Sequence, residues 1–429
     1  KLNNINEVIG FDMGGTSTDV WHFAGDVEKR LETKFSGIYL KTPVLNIDSI
    51  ASGGGSIISY KQKRFIVGPN SAGAYPGPSC YRNNGPLTIT DCNLILGRII
   101  PDFFPKYFGK NKSQKISKEP SKKKLLILLK KVQKDYPQIK NISLLANAFL
   151  DVAVENMSST IKKITTHKGF DIENYSLLVL GSASGQLACK VAEKLKIKKI
   201  IFHPLSGFLS AYGAGLSMKG ETFEQSCEKT LNKSNLQSLV ESMKGDIKKK
   251  YYNVKLIHII RLRYFGSNTV ISLSLKSMNI SKLKSLFKKK HLKSYGFYYN
   301  NKDIIIDSIE TEAILEDGFK FKFKPENFNQ LNKNNIIISK KNYFHENKFI
   351  SVKSINSDSF KEKSSFKGPI LFNDFNTTLV IEKNWKIRRN PNGSYEIIRD
   401  SYKNITKKSS IKVNLPSPEK LEIFNNLFF

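Results

Sequence analysis

Cysteine is scarce in this sequence: Cys80, Cys92, Cys189 and Cys227 are the four in 429 residues, and no two form a Cys-x-x-Cys pair. That scarcity excludes a disulfide framework and a tetrathiolate zinc site, and it sets a reducing, cytoplasmic location as the expectation. Long apolar runs are missing as well. The longest purely aliphatic stretch is Leu125 to Leu129, far short of the roughly 20 apolar residues that span a bilayer, so no membrane partner is expected. Acidic residues are few, 37 against 69 Lys and Arg, for a formal charge of +32. A surplus of that size raises nucleic acid as a partner. Yet Lys far outnumbers Arg, and Asn, Ile, Phe and Tyr are abundant, a composition that follows from codons rich in A and T. Lysines of that origin scatter over every surface, whereas a nucleic-acid groove needs a clustered stripe with aromatic platforms. Nucleic-acid binding is therefore the least favoured reading.

What is present is enough to fold. Hydrophobic residues make up 40% of the chain and charged residues 25%, which puts it among globular proteins of two or three domains. The first residue is Lys1, and the core-type strand Val8-Ile9-Gly10-Phe11 follows almost at once, so the chain is expected to begin inside a larger protein. That strand runs into Asp12-Met13-Gly14-Gly15-Thr16-Ser17-Thr18-Asp19 and a returning apolar stretch, Val20–Phe23, the pattern of a hairpin with a Gly-Gly turn. Residues 106–142 are lysine-rich and polar around one short helical segment and read as an insertion or a surface excursion. Between 143 and 167, Leu145, Phe149, Ala153, Met157 and Ile161 recur every four residues and predict a helix with one buried face. Leu177–Leu180, a small-residue loop at 181–185, a helix over Gln186–Leu195 and a strand at Lys199–Phe202 predict a βαβ unit and hence an α/β domain. After residue 220, alternation in Leu256–Tyr264 and Thr269–Leu275 predicts a mainly β region up to about 410.

The Asp12–Asp19 segment carries the strongest chemistry. A carboxylate at a strand end suits Mg²⁺, a hard cation that takes oxygen ligands. Gly14 and Gly15 let backbone amides approach phosphate oxygens, and Thr16 and Thr18 add hydroxyls. No Walker-type Gly-x4-Gly-Lys-Ser/Thr loop is present. Gly181, Ala183 and Gly185 sit at a βα junction, where small residues either admit a nucleotide or simply pack closely. Ser52-Gly53-Gly54-Gly55-Ser56 and the turn-dense 68–80 stretch carry the same ambiguity. Cys80, Asp91 and Cys92, with His167 and His203 far off in sequence, match no standard zinc spacing, and a buried structural thiol is the expected state of each cysteine.

Together these motifs resemble the hydantoinase A/5-oxoprolinase family. The likeness rests on Ile9 to Val20, Ala51 to Ser56, Val67 to Ala74, Pro76 to Tyr81, Thr90 to Arg98 and Leu209 to Gly213, with Gly368 to Leu371, Thr377, Thr378 and Trp385 further on. The resemblance implies the second half of an actin-like, sugar-kinase-like ATPase fold over 1–219 and a β-rich hydantoinase A C-terminal-type domain over 220–410. The amphipathic stretch within 411–429 would open a truncated hydantoinase B-type region. It further implies ATP and Mg²⁺ as cofactors, with Asp12 facing Mg²⁺ and Asp12 and Asp19 as catalytic carboxylates. Gly14, Gly15, Thr16 and Thr18 would contact phosphate, and Gly181, Ala183 and Gly185 would wall the adenosine. Gly54, Gly55, Ser56, Cys80 and Asp91 would form substrate or structural loops. The implied activity is ATP-dependent hydrolysis of 5-oxoproline, a lactam, to glutamate, with a hydantoinase B-type region and the absent first half of the ATPase fold as partners. The alternatives are a related hydantoinase or acetone carboxylase ATPase subunit, or a remnant that keeps the fold without catalysis. Two departures from the family pattern bear on the last: Tyr75 stands where the pattern has His, and Leu187 occupies a second His position, with Ser182 and Ser184 nearby.

Overall fold

The computed structural model describes residues 5, 7–25, 28–30, 33–35, 37–40, 44–109, 111–166, 169–216, 219–315, 339–357, 360, 364–374 and 377–400. Strands β1 (Glu7–Met13) and β2 (Thr18–Ala24) form the expected hairpin, with Asp12 opposite Asp19 in register. β1 also pairs in parallel with strand Ser176–Leu180, which pairs in parallel with Lys199–Phe202. Between those two strands lies a short helix, Ala188–Lys194, so the βαβ unit is present, its helix beginning two residues later than predicted. These strands belong to an eight-stranded sheet in which β2 is flanked by Asp48–Ile50.

The helix predicted over 143–167 runs Ile142–Ile164 and is opened by Asn141, whose side chain accepts the amides of Ser143 and Leu144 at 3.0 and 2.9 Å. Leu145, Phe149, Ala153, Met157 and Ile161 are all fully buried, so its apolar face packs into the core as the four-residue step requires. The lysine-rich 106–142 stretch is less of an excursion than its charge suggests. It contains the helix Lys118–Val132, whose Leu125, Leu129 and Val132 are buried in the same core while Lys122, Lys123, Lys130 and Lys131 point outward. Three apolar residues at helical spacing suffice to seat a helix that composition alone makes look solvated.

The chain divides into two compact units, one of Lys1–Ser210 with Lys324–Phe429 and one of Ala211–Phe323. The region expected as one β-rich domain over 220–410 is thus split. Strands Ser365–Lys367, Trp385–Arg389 and Tyr395–Arg399 extend the large sheet beyond Lys199–Phe202. Trp385 is fully buried there, its Nε1 donating to Glu193 at 2.7 Å. A polar-looking β segment returns to the first unit because Trp385, Ile387, Tyr395 and Ile397 supply apolar surface that only a large core can cover. A four-stranded sheet of Ser339–His345, Lys348–Asn356, Ile370–Asn373 and Thr378–Ile381 completes that unit. In the second unit, strands Gly220–Thr230, Ile304–Leu315, Val254–Tyr264 and Ile271–Ser274 form an antiparallel sheet in that order. It packs on helices Lys233–Lys250 and Ile280–Tyr295 through Leu236, Val240, Leu262, Phe287 and Ile306. The expected region 411–429 lies outside the described residues.

Candidate functional site

The parallel strands β1, Ser176–Leu180 and Lys199–Phe202 all end at one edge of the large sheet, the edge at which open α/β sheets take their ligands. On β1, Ile9, Phe11 and Met13 face the core, so the period of two turns Asp12 to the opposite face at the strand's last turn. Across the hairpin, Asp19 meets it on the same face. Asp12 Oδ2 accepts from Ser210 Oγ at 2.9 Å, and Asp19 accepts from Ser49 Oγ. Burial chiefly raises the Asp12 carboxyl above its ordinary range; the Ser210 hydrogen bond opposes this, and the negative charge of Asp19 adds to it. Among the described residues neither aspartate has an ion-pair partner.

The hairpin tip is held from one side only. Gly14 N donates to Ser17 O at 3.1 Å inside the turn, while Gly54 N and Gly55 N donate to Gly14 O and Gly15 O at 3.0 and 2.6 Å. Thr18 Oγ1 donates to Ser52 O at 2.5 Å, and Thr90 Oγ1 to Gly54 O at 2.8 Å. Gly53 has to be glycine here: a Cβ would lie 2.7 Å from the Thr16 carbonyl carbon. Ser56 Oγ closes the same turn by accepting from Gly53 N at 2.8 Å. On the other side of the tip the space over Gly14 and Gly15 is open, and Gly15 and Thr16 are exposed. Among the described residues the amides of Gly15 and Thr16 donate to no backbone or side-chain acceptor. Unengaged amides at an exposed turn are the groups from which anion-binding concavities are built.

The 181–186 loop abuts this pair of carboxylates. Ala183 N donates to Met13 O at 3.1 Å, and a Cβ on Gly181, whose φ is +79°, would lie 2.6 Å from Asp12 Oδ1. Gly185 is closely packed: a Cβ there would lie 2.7 Å from Leu379 Cδ2. Ser184 Oγ donates to Gly181 O at 3.0 Å, and Leu187 is fully buried in the core. Tyr75 is 84% exposed.

Asp91 and Cys80 lie elsewhere in character. Asp91 is fully buried and accepts the amides of Ser79, Cys80 and Thr88 at 3.1, 2.8 and 2.8 Å and the hydroxyls of Thr88 and Ser121 at 2.9 and 2.6 Å. It closes a capping box with Thr88 at the start of helix Ile89–Ile95. Burial, with the Asp91 charge beside it, pushes the Cys80 thiol well up, and burial does the same to Cys92 and Cys189. These thiols are structural. His203 follows the last parallel strand, and burial lowers it to about 4, so it is neutral at pH 7. His167 lies outside the described residues.

Among the described residues no three His, Cys, Asp or Glu side chains gather to cage a metal. The facing pair Asp12 and Asp19 fits a cation that keeps most of its water and takes one or two carboxylates, as Mg²⁺ does. Ser210, which orients Asp12, was not among the predicted site residues, although it stands in the Leu209 to Gly213 segment on which the family likeness partly rests. Arg98, in the Thr90 to Arg98 segment, donates from Nη2 to Gln186 O at 2.5 Å and fixes the 181–186 loop from behind.

The sequence profile of the family described as Hydantoinase/oxoprolinase matches residues 1–222. A 5-oxoprolinase of Dictyostelium discoideum is 33% identical, the alignment covering 100% of this chain and 35% of that protein. The 5-oxoprolinase of Saccharomyces cerevisiae is 35% identical over 90% of this chain and 31% of its own length. The chain therefore spans about a third of the length of these two relatives. The crystal structure of an ATP-dependent caprolactamase from Pseudomonas jessenii superposes on 93% of this chain with a TM-score of 0.73 at 20% identity, 60% of that chain being covered. At that identity the likeness is one of fold: both are α/β proteins.

Proposed function

The chain belongs to the hydantoinase/oxoprolinase family, and from that premise we propose that it forms a nucleotide-binding part of an enzyme that opens a cyclic amide at the expense of ATP. The observation that supports this reading is the hairpin tip, where the unengaged amides of Gly15 and Thr16 stand over an open face beside the facing carboxylates of Asp12 and Asp19. The amides of Gly15 and Thr16 donate to phosphate oxygens. Asp12, oriented by Ser210, and Asp19 would hold a Mg²⁺ ion, which would supply charge neutralisation. The nucleotide, when bound, supplies a phosphoryl group that turns an unreactive amide carbonyl into an electrophile which water can attack. What the chain's residues contribute is position and charge balance. 5-Oxoproline is the substrate we favour, on the strength of the relatives, and ring opening is proposed for a protein of the relatives' full length, about a third of which this chain matches. A hydantoinase B-type region would then supply the hydrolytic half.

The test is a titration of the 429-residue chain with a non-hydrolysable ATP analogue, with and without Mg²⁺. Saturable, Mg²⁺-dependent binding that weakens at least about ten-fold in Asp12→Asn is expected from the loss of one charged ligand. Binding that ignores both Mg²⁺ and the substitution would overturn the reading.

A further inference from the structure

Behind the 181–186 loop, and contacting none of the hairpin residues, the first unit has a half-open cavity of about 230 Å³. Its floor is the buried cation Arg98, which donates to Glu382 at 2.9 Å and to Tyr343 Oη at 2.8 Å. That pair is mutually satisfied. The walls are not. On helix Ala188–Lys194, Lys190 Nζ donates to Asp151 at 3.0 Å and to Asn147 at 3.4 Å, leaving its third proton without an acceptor among the described residues. One turn on, Glu193 Oε1 accepts from Trp385 Nε1, while no hydrogen bond among the described residues reaches its other oxygen, and no cation lies within ion-pair distance. Also in the lining, His345 Nε2 is shut off from solvent and lies 3.4 Å from the Glu346 carboxylate. The mouth is the tight turn Glu346-Asn347, both residues at positive φ and both exposed.

We propose that this cavity binds a free polar α-amino acid, its carboxylate on Lys190 and its ammonium on Glu193. Three observations converge on that class. Lys190 and Glu193 are three residues apart on one helix face, where side chains are neighbours, and an α-amino acid likewise carries its two charged groups side by side, on one carbon. The lining is polar on every side but Phe344, so an apolar ligand gains little there. The volume falls below the roughly 300 Å³ at which pockets for drug-sized ligands begin, which suits a molecule of glutamate's size. Burial, with the Glu382 charge beside it, raises the Glu193 carboxyl against the Trp385 hydrogen bond and the positive charges of Arg399 and Lys190, and a bound ammonium would relieve what remains. The proposal is independent of the nucleotide reading, because its residues are not those of the hairpin.

Calorimetric titration of the full chain with L-glutamate tests it, with glutarate and butylamine as probes that each carry one sign of charge. Saturable glutamate binding is expected, with each single-charge probe weaker by at least about ten-fold, as loss of one charge-assisted contact predicts. Glu193→Gln and Lys190→Met should each cost a similar factor, and Asp12→Asn should leave glutamate binding unchanged. Should either helix variant fold poorly, Glu346→Gln on the exposed turn is the substitute, with an expected weakening of about two- to three-fold. Absence of saturation, binding indifferent to all three cavity variants, or binding abolished by Asp12→Asn would each overturn the proposal. The last result would also leave the nucleotide reading standing, so the two fail separately.

Discussion

Asp12 and Asp91 sit in segments of the same texture, each a short run of Gly, Ser, Thr and Asp, and the fold treats them in opposite ways. Asp91 is buried under three amides and two hydroxyls, and every donor around it is spent on holding residues 79–91 and Ser121 together. Asp12 has one hydroxyl donor, a second carboxylate across the hairpin, and beside it two amides with nothing to hold. A satisfied polar cluster is architecture, because its hydrogen bonds offset the cost of burial. A cluster left short of partners at a strand edge is poised for a ligand to complete it. The difference lies in which groups have been used up, and that no count of residue types reveals.

The contrast breaks most visibly at Asp91. Asp91→Ala should cost about 3–5 kcal/mol, since five donors lose their acceptor inside the protein. Asp91→Asn keeps the shape and part of the acceptor capacity, and about 1–3 kcal/mol is expected. Thermal and denaturant unfolding measure both. Should Asp91→Ala unfold like the parent protein, the carboxylate is not the keystone described. The next effect is at the glycines. Gly53→Ala drives a methyl to 2.7 Å from the hairpin backbone and should cost about 1–3 kcal/mol by overpacking, with loss of nucleotide binding as the tip is displaced. Gly15→Ala meets open space and should leave stability within about 0.5 kcal/mol. Paired unfolding curves of these two variants would sharpen the comparison, and equal losses would sink it.

Much of this was legible in the sequence, and the limits have physical causes. The hairpin and the βαβ unit follow from local periodicity, so Asp12, Gly14, Gly15, Thr16 and Thr18 could be placed from a dozen residues. The return of Trp385–Arg389 and Tyr395–Arg399 to the first sheet could not, because long-range pairing depends on which core can bury Trp385, and no local pattern encodes that. The short helical segment within 106–142 was legible, but the seating of helix Lys118–Val132 in the core was masked by its lysines, since charge counts ignore the face on which Leu125 and Leu129 fall. At the site, Ser210 reaches Asp12 across 198 positions. The roles of Gly185 and Asp91 were ambiguous because close packing and ligand contact select the same small or acidic residues.

The smallest expected effect is the most discriminating. Asp12 is raised above its ordinary value of 3.8 by burial and by Asp19, with Ser210 opposing. The folded protein therefore holds that proton more tightly than the unfolded chain does. By linkage, the stability contributed by the protonated form is fully present below 3.8 and is lost as pH rises through the folded-state value. At neutral pH the ionised Asp12 is a net cost, and Asp12→Asn removes it. The variant should melt slightly higher than the parent protein at pH 7 and no higher in acid, where the parent carries the proton anyway. The gain is small because half the group remains open to solvent, which screens its charge. Added Mg²⁺ should stabilise the parent and not the variant, since only the parent offers the facing carboxylates. A residue kept for architecture behaves as Asp91 does and loses stability when changed. A residue kept for a ligand gains stability when changed and loses binding. Melting curves of Asp12→Asn across pH, with and without Mg²⁺, decide between these; a destabilised variant at pH 7 would place Asp12 with Asp91 and remove the basis for the contrast.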